Sequence, residues 1–143
     1  MTADSASVAM FLAAVQDCRE RLRRLHGRYL AAGASRVDPV LSLSGRPFTV
    51  HEGESSTEYD GCLTLGLVVR NAEGREFDLE VDLLWTDPTW RIDTSARADE
   101  DDGGHRPVRE LPQRNAADLP SCLEQLRAAV DDLAVFEDWV LAK

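Results

Sequence analysis

The stretch CLTLGLVVRNAEGREFDLEVDLLW, Cys62–Trp85, decides the fold. Leu63, Leu65, Leu67 and Val69 fall on alternate positions, and beyond Asn71-Ala72-Glu73-Gly74 they are answered by Phe77, Leu79, Val81, Leu83 and Trp85. A period of two belongs to strands with one buried face. For both apolar rows to share that face, Val69 must oppose Phe77, which leaves a loop of Ala72, Glu73 and Gly74 between paired Asn71 and Arg75. Such a loop is a type I turn followed by a left-handed residue, and Gly74 stands at that position. Turn chemistry and face pattern agree. A third run, Trp90 to about Arg97, brings Trp90, Ile92 and Thr94 to the same side. Pro88 excludes a primed two-residue turn, so a four-residue loop is predicted, with Trp85 opposite Trp90.

Working outward, the period changes to that of a helix. From Ser7 to Ala32 the residues Val8, Phe11, Val15, Cys18, Leu22, Leu25 and Tyr29 form one face, with Ser5 or Ser7 as cap and Gly33 as stop. A second helix begins at Asp118 or Leu119 with Pro120 in its first turn, and runs Leu119, Cys122, Leu126, Ala129, Leu133, Phe136, Val140 along one face. Between helix and meander, a link containing Pro, Ser and Gly leads to a short strand at Pro47–His51, then a polar loop at Glu52–Asp60. After the meander come a mobile acidic loop over about 98–105 and a weak strand at Pro107–Leu111. The order is helix, antiparallel meander of four or five strands, helix. The fold class is therefore α+β, one domain over 1–143. The apolar sheet face needs cover, and both helices supply it.

Composition narrows the function. The formal net charge is −10, which disfavours phosphate backbones and favours basic partners. Six Arg lie within 17–36 beside Asp17 and Glu20, whereas 76–102 holds ten acids beside Arg91 and Arg97. The three cysteines Cys18, Cys62 and Cys122 are widely spaced and read as buried small hydrophobes in a reducing compartment. Nothing reaches the length of a membrane span and no secretion signal is present, so the expected location is cytoplasmic.

Two surfaces are unusual. On the outer side of the sheet Glu76, Asp78, Glu80 and Asp82 alternate with the apolar row. The derived register sets Arg70 against Glu76 and Arg97 against Asp78, but Asp82 against Asp93, a like-charge pair. That face reads as a docking surface for a basic protein, against the plainer reading of a solvated face that resists aggregation. Near the C-terminus Val135 and Trp139 lie opposite the leucine stripe and should be exposed, marking a contact with a partner or a second copy. A basic stripe, Arg21, Arg24 and Arg28, reads as the solvated side of the first helix. Tyr29, Trp85 and Trp90 can line a ligand pocket or simply fill a core.

No catalytic, cofactor or metal motif is found: no P-loop, dinucleotide fingerprint, nucleophile elbow or paired-cysteine site. His51 with Glu52 and Glu54 has only generic spacing. In size, acidity and layout the chain resembles, at the level of class alone, bacterial immunity proteins and acidic chaperones. That resemblance carries no motif and assigns no residue; the two unusual surfaces, with the absence of catalytic groupings, point to a non-enzymatic protein-binding module with Asp78, Glu80, Asp82, Asp93, Val135 and Trp139 as partner-binding residues. The alternative is a small-ligand-binding protein or enzyme with its pocket between helices and sheet.

Overall fold

In chain order the elements of the computed structural model, which describes residues 4–86 and 89–142, are α1 (Ser5–Ala31), β1 (Arg36–Ser44), β2 (Phe48–Glu52), β3 (Ser55–Tyr59), β4 (Gly61–Arg70), β5 (Glu76–Thr86), β6 (Thr89–Ala98), β7 (Val108–Glu110), β8 (Arg114–Ala116), α2 (Leu119–Asp131), a 3-10 segment (Asp132–Phe136) and α3 (Glu137–Leu141). The fold is α+β, with both terminal helical segments on one face of an antiparallel sheet.

The meander has the expected register. Val69 opposes Phe77 and Trp85 opposes Trp90. Asn71 N–H donates to the Arg75 carbonyl at 2.9 Å, and Gly74 takes φ +87°. The four-residue loop expected after Trp85 is corrected: Thr86 and Thr89 also pair, so the strands run one step further, and Asp87 and Pro88 lie outside the described residues. Asn71 does more than turn the chain. Its Oδ1 accepts from the main chain of Glu73 and Arg75, each at 3.0 Å, and its Nδ2 donates 3.0 Å to the Val140 carbonyl. A buried amide thus ties the hairpin to the last helix.

Strand order is β1-β4-β5-β6, with β7 and β8 both on the far edge of β6. Leu65, Leu79, Val81 and Leu83 are fully buried under Cys18, Leu22 and Tyr29 of α1 and Cys122 and Leu126 of α2. Tyr29, buried whole, donates its hydroxyl to the Leu133 carbonyl at 2.6 Å.

Several expectations are corrected. Asp4, rather than Ser5 or Ser7, caps α1, its carboxylate accepting from Ser7 N–H at 2.7 Å. The supposed link after α1 contains β1, a nine-residue edge strand paired along β4. Asn71–Arg75 is a hydrogen-bonded pair, so by antiparallel alternation the odd residues of β4 bond β5 and its even residues bond β1. Strand β1 therefore uses the main chain of residues 36, 38, 40, 42 and 44 on β4. Pro39 falls at an outward position, where its missing N–H leaves no gap in the ladder.

The strand expected near Pro47–His51 pairs with β3, out of the polar loop, as a separate hairpin. This hairpin folds onto the outer face: β3 packs on β5, the Phe48 and Tyr59 rings stack at 5.7 Å, and Tyr59 and Leu84 are both buried. The segment expected to be a mobile acidic loop holds a hydrogen-bonded turn in which Asp101 Oδ1 accepts from Gly103 and His105 N–H, each at 2.9 Å.

The final helix is not continuous. A 3-10 segment turns each residue about 120° against about 100° in an α-helix, so five residues add roughly 100° of rotation. That rotation swings Trp139 from the outside toward the core. There it meets Phe77 edge-on, with ring centroids 5.1 Å apart.

Two glycines separate close packing from simple helix propensity. A Cβ at Gly66 would fall on the Leu79 carbonyl oxygen, whereas one at Gly27, on the exposed side of α1, would meet nothing. Gly66→Ala should cost about 1–3 kcal/mol by overpacking, and Gly27→Ala should gain about 0.5–1 kcal/mol. Urea denaturation of both variants checks the pair. A harmless Gly66→Ala would mean that β4 and β5 do not approach as described.

Candidate functional site: the carboxylate face of the sheet

Strand alternation places Glu76, Asp78, Glu80 and Asp82 on the side of β5 away from the helices, each half-buried beside its neighbours. Their flanks are set by register. Glu76 faces Arg70 on β4 and pairs with it at 3.2 Å. Asp78 lies opposite Arg97, as expected, but its ion pair is with Arg106, at 3.6 Å. Glu80 stands between Gly66 and Ser95, and Asp82 between Thr64 and Asp93.

The last two differ from the first two. Glu80 makes no ion pair among the described residues, and Asp82 accepts a 2.6 Å hydrogen bond from the Thr64 hydroxyl without a cation in contact. Asp93 is held by Arg91 Nε at 2.9 Å, and the same guanidinium pairs with Glu52 and donates to Tyr59 at 3.5 Å. Arg91 is thereby committed between the hairpin and Asp93. Burial, then the charges of Asp82 and Asp78, push the Glu80 carboxyl above its usual range, with Arg97 pulling the other way. Burial, then Asp93, raise Asp82, opposed by the Thr64 hydroxyl and Arg97. Half-removed from water and crowded by like charge, these two anions are held in unfavourable surroundings.

The other sequence-level candidates separate. Val135 is 66% exposed. Trp139 is not its neighbour on a common surface: it is half-buried, with Phe77 on one side and the Arg109 guanidinium 5.2 Å from its ring centroid. The basic stripe is exposed at Arg24 and Arg28, as expected of a solvated face, but it also reaches the C-terminal helical segments. Arg21 pairs with Asp17 and Asp131, Arg28 with Glu137 at 2.7 Å, and Arg127 of α2 returns to Asp17 at 2.8 Å. These pairs clamp α1 to the C-terminal helical segments. Arg24 alone of the three stripe residues has no ion pair among the described residues.

Nucleophile chemistry finds no footing in the thiols. Burial pushes Cys18 up to about 11 and Cys122 up to about 12, so both stay protonated. Burial likewise raises Cys62. Among the described residues no group of three or more His, Cys, Asp or Glu is arranged to hold a metal ion, and the His51 ring nitrogen instead meets the Ser56 hydroxyl across the hairpin at 2.9 Å. Tyr29 is fully buried, and a Cβ at Gly61 would strike the Trp85 indole, so that ring is packed on β4.

Glu80 and Asp82 bind protons more readily folded than unfolded. Stability should therefore fall as pH rises from the unfolded carboxylate range through their raised folded values. Glu80→Gln removes one such charge, and its melting temperature should exceed that of the wild type at neutral pH. The excess should vanish below about pH 4, where both forms are uncharged. Calorimetric scans at the two pH values read the difference directly, and equal melting at neutral pH would show that the Glu80 charge carries no penalty. Compared with known proteins, the chain matches no family model, no curated protein and no solved structure at a significant level.

Proposed function

We propose that this chain is a non-enzymatic protein-binding module, of the immunity-protein or secretion- and assembly-chaperone kind, whose carboxylate face receives a basic surface of another protein. The observation carrying this reading is the pair Glu80 and Asp82: two half-buried carboxylates on one strand, both raised in pKa, neither met by a cation in contact among the described residues. A guanidinium or ammonium brought by a partner supplies the missing counter-charge. Its attraction is strengthened by the partial exclusion of water that makes the free site unfavourable.

Access supports the same reading. Gly66 and Ser95 flank Glu80 on the adjacent strands, so a long basic side chain approaching Glu80 meets no tall neighbour. The hairpin β2–β3 walls the strip at its Leu84 end, and Arg106 with Arg97 bounds it at the Asp78 end. A net charge of −10 adds long-range steering of a basic partner.

The test is affinity capture from the native host, followed by quantitative binding of the recovered partner. Glu80→Gln/Asp82→Asn is the informative variant because it is expected to fold at least as well as the wild type, so lost binding cannot be lost structure. Affinity should drop at least about tenfold at low salt, with the wild-type interaction weakening steeply as salt rises. Unchanged affinity of the double variant would remove the carboxylate face from the proposal.

A further inference from the structure

We propose that the open edge of β1, with the groove between it and α1, is a docking site for an extended, acidic polypeptide segment that adds a strand to the sheet. This surface lies on the helix side, away from the carboxylate face, and does not depend on it.

The edge comes first. Strand β1 ends the sheet, and alternation turns the N–H and C=O of its odd residues outward. The first half is guarded in the usual ways: Pro39 lacks a donor, and Arg36 and Asp38 form a 2.8 Å ion pair there. The second half, Val40–Ser44, has no charge and no proline. Its helix-side residues Leu41 and Leu43 are 54% and 67% exposed, and their main-chain N–H and C=O groups face out. An unguarded edge beside exposed leucines fits the strand-addition mode of peptide recognition, where main-chain bonds give affinity and alternate side chains give register.

The groove comes second. It has a volume of about 370 Å³, with Leu22 and Leu65 in its lining and Pro39 and Leu41 along the strand side. On the helix side stand Arg19, Arg23 and His26. Helical spacing continues that bank through Val15, Leu12 and Val8, of which Leu12 is 62% and Val8 45% exposed.

Charge selects the occupant. In a chain of net charge −10, no carboxylate among the described residues lines this groove. Arg23 shares Glu20 at 3.0 Å, while Arg19 makes no ion pair among the described residues. A second copy pairing β1 with β1 about a two-fold axis would face this basic bank with its own image, and would bring together two strongly acidic molecules. A strand that is apolar toward Leu41 and Leu43 and acidic toward Arg19 and Arg23 meets the edge, the groove and the bank at once.

The probe is a fluorescein-labelled ten-residue peptide alternating Val or Leu with Glu, read by anisotropy against the same peptide with Lys for Glu. The Glu peptide should bind at least about tenfold more tightly than the Lys peptide. Leu43→Pro removes one outward donor and one exposed leucine without taking a bond from β4. It should weaken Glu-peptide binding at least about tenfold while the melting temperature holds. Arg19→Glu, exposed and remote from the ladder, should reverse the charge preference and serves if the proline variant melts early. Failure of both peptides to bind, equal binding of the two, or indifference to Leu43→Pro and Arg19→Glu together would overturn the proposal. Sedimentation revealing a wild-type dimer that Leu43→Pro dissolves would also overturn it, making a second copy the occupant.

Discussion

The pairing of Val69 with Phe77 across the Gly74 turn holds everything else in place. A slip of one residue between β4 and β5 would put their apolar rows on opposite faces: with Leu65 and Leu67 kept under the helices, Leu79 and Val81 would turn into water and Asp78, Glu80 and Asp82 would turn inward. Three features oppose that slip. Gly74 takes the left-handed conformation that only this loop length needs, Asn71 spends its side chain on the turn and on the last helix, and Gly66 permits a backbone approach that no other residue allows. Only in this register do the carboxylates share a single outward row.

That row was legible because strand alternation is strict there and both faces differ sharply in polarity. The like-charge opposition of Asp82 and Asp93 followed from register alone. Its electrostatic consequence did not, because burial of Asp82 depends on what surrounds the strip. The β2–β3 hairpin covers one end of the same face, and its exposed residues, Glu52, Ser55, Thr57 and Glu58 among them, carry a polar composition that reads as loop. A two-stranded ribbon lying on a sheet needs few apolar residues, and Phe48 and Tyr59 sufficed.

Strand β1 was missed for a different reason. Val37, Pro39, Leu41 and Leu43 do alternate with Asp38, Val40, Ser42 and Ser44, so the signal was present. Pro39 disguised it. Proline excludes a central strand but not an edge strand whose N–H faces out, and only the ladder's hydrogen-bond phase, fixed at Asn71, distinguishes the two. The 3-10 segment was beyond the reach of pattern. Tightening over five residues leaves no mark in composition, yet it decides that Trp139 packs on Phe77 while Val135 stays outside.

The distribution of charge follows from how the helices are joined. Arg21, Arg28 and Arg127 are spent on Asp17, Asp131 and Glu137, so a cationic sequence segment leaves little free positive charge on that side of the molecule. Among the described residues the charge left without an ion pair includes anions on the outer sheet face, Arg24 on the stripe and Arg19 at the groove beside β1. An ion pair clamping two helices near the surface adds little stability by itself. Its larger effect here is subtractive, for the acidic strand lies beyond reach of the stripe's guanidiniums. The carboxyls of Glu80 and Asp82 thus remain crowded and half-dry, and an arrangement unfavourable to the free fold is one that an incoming cation improves.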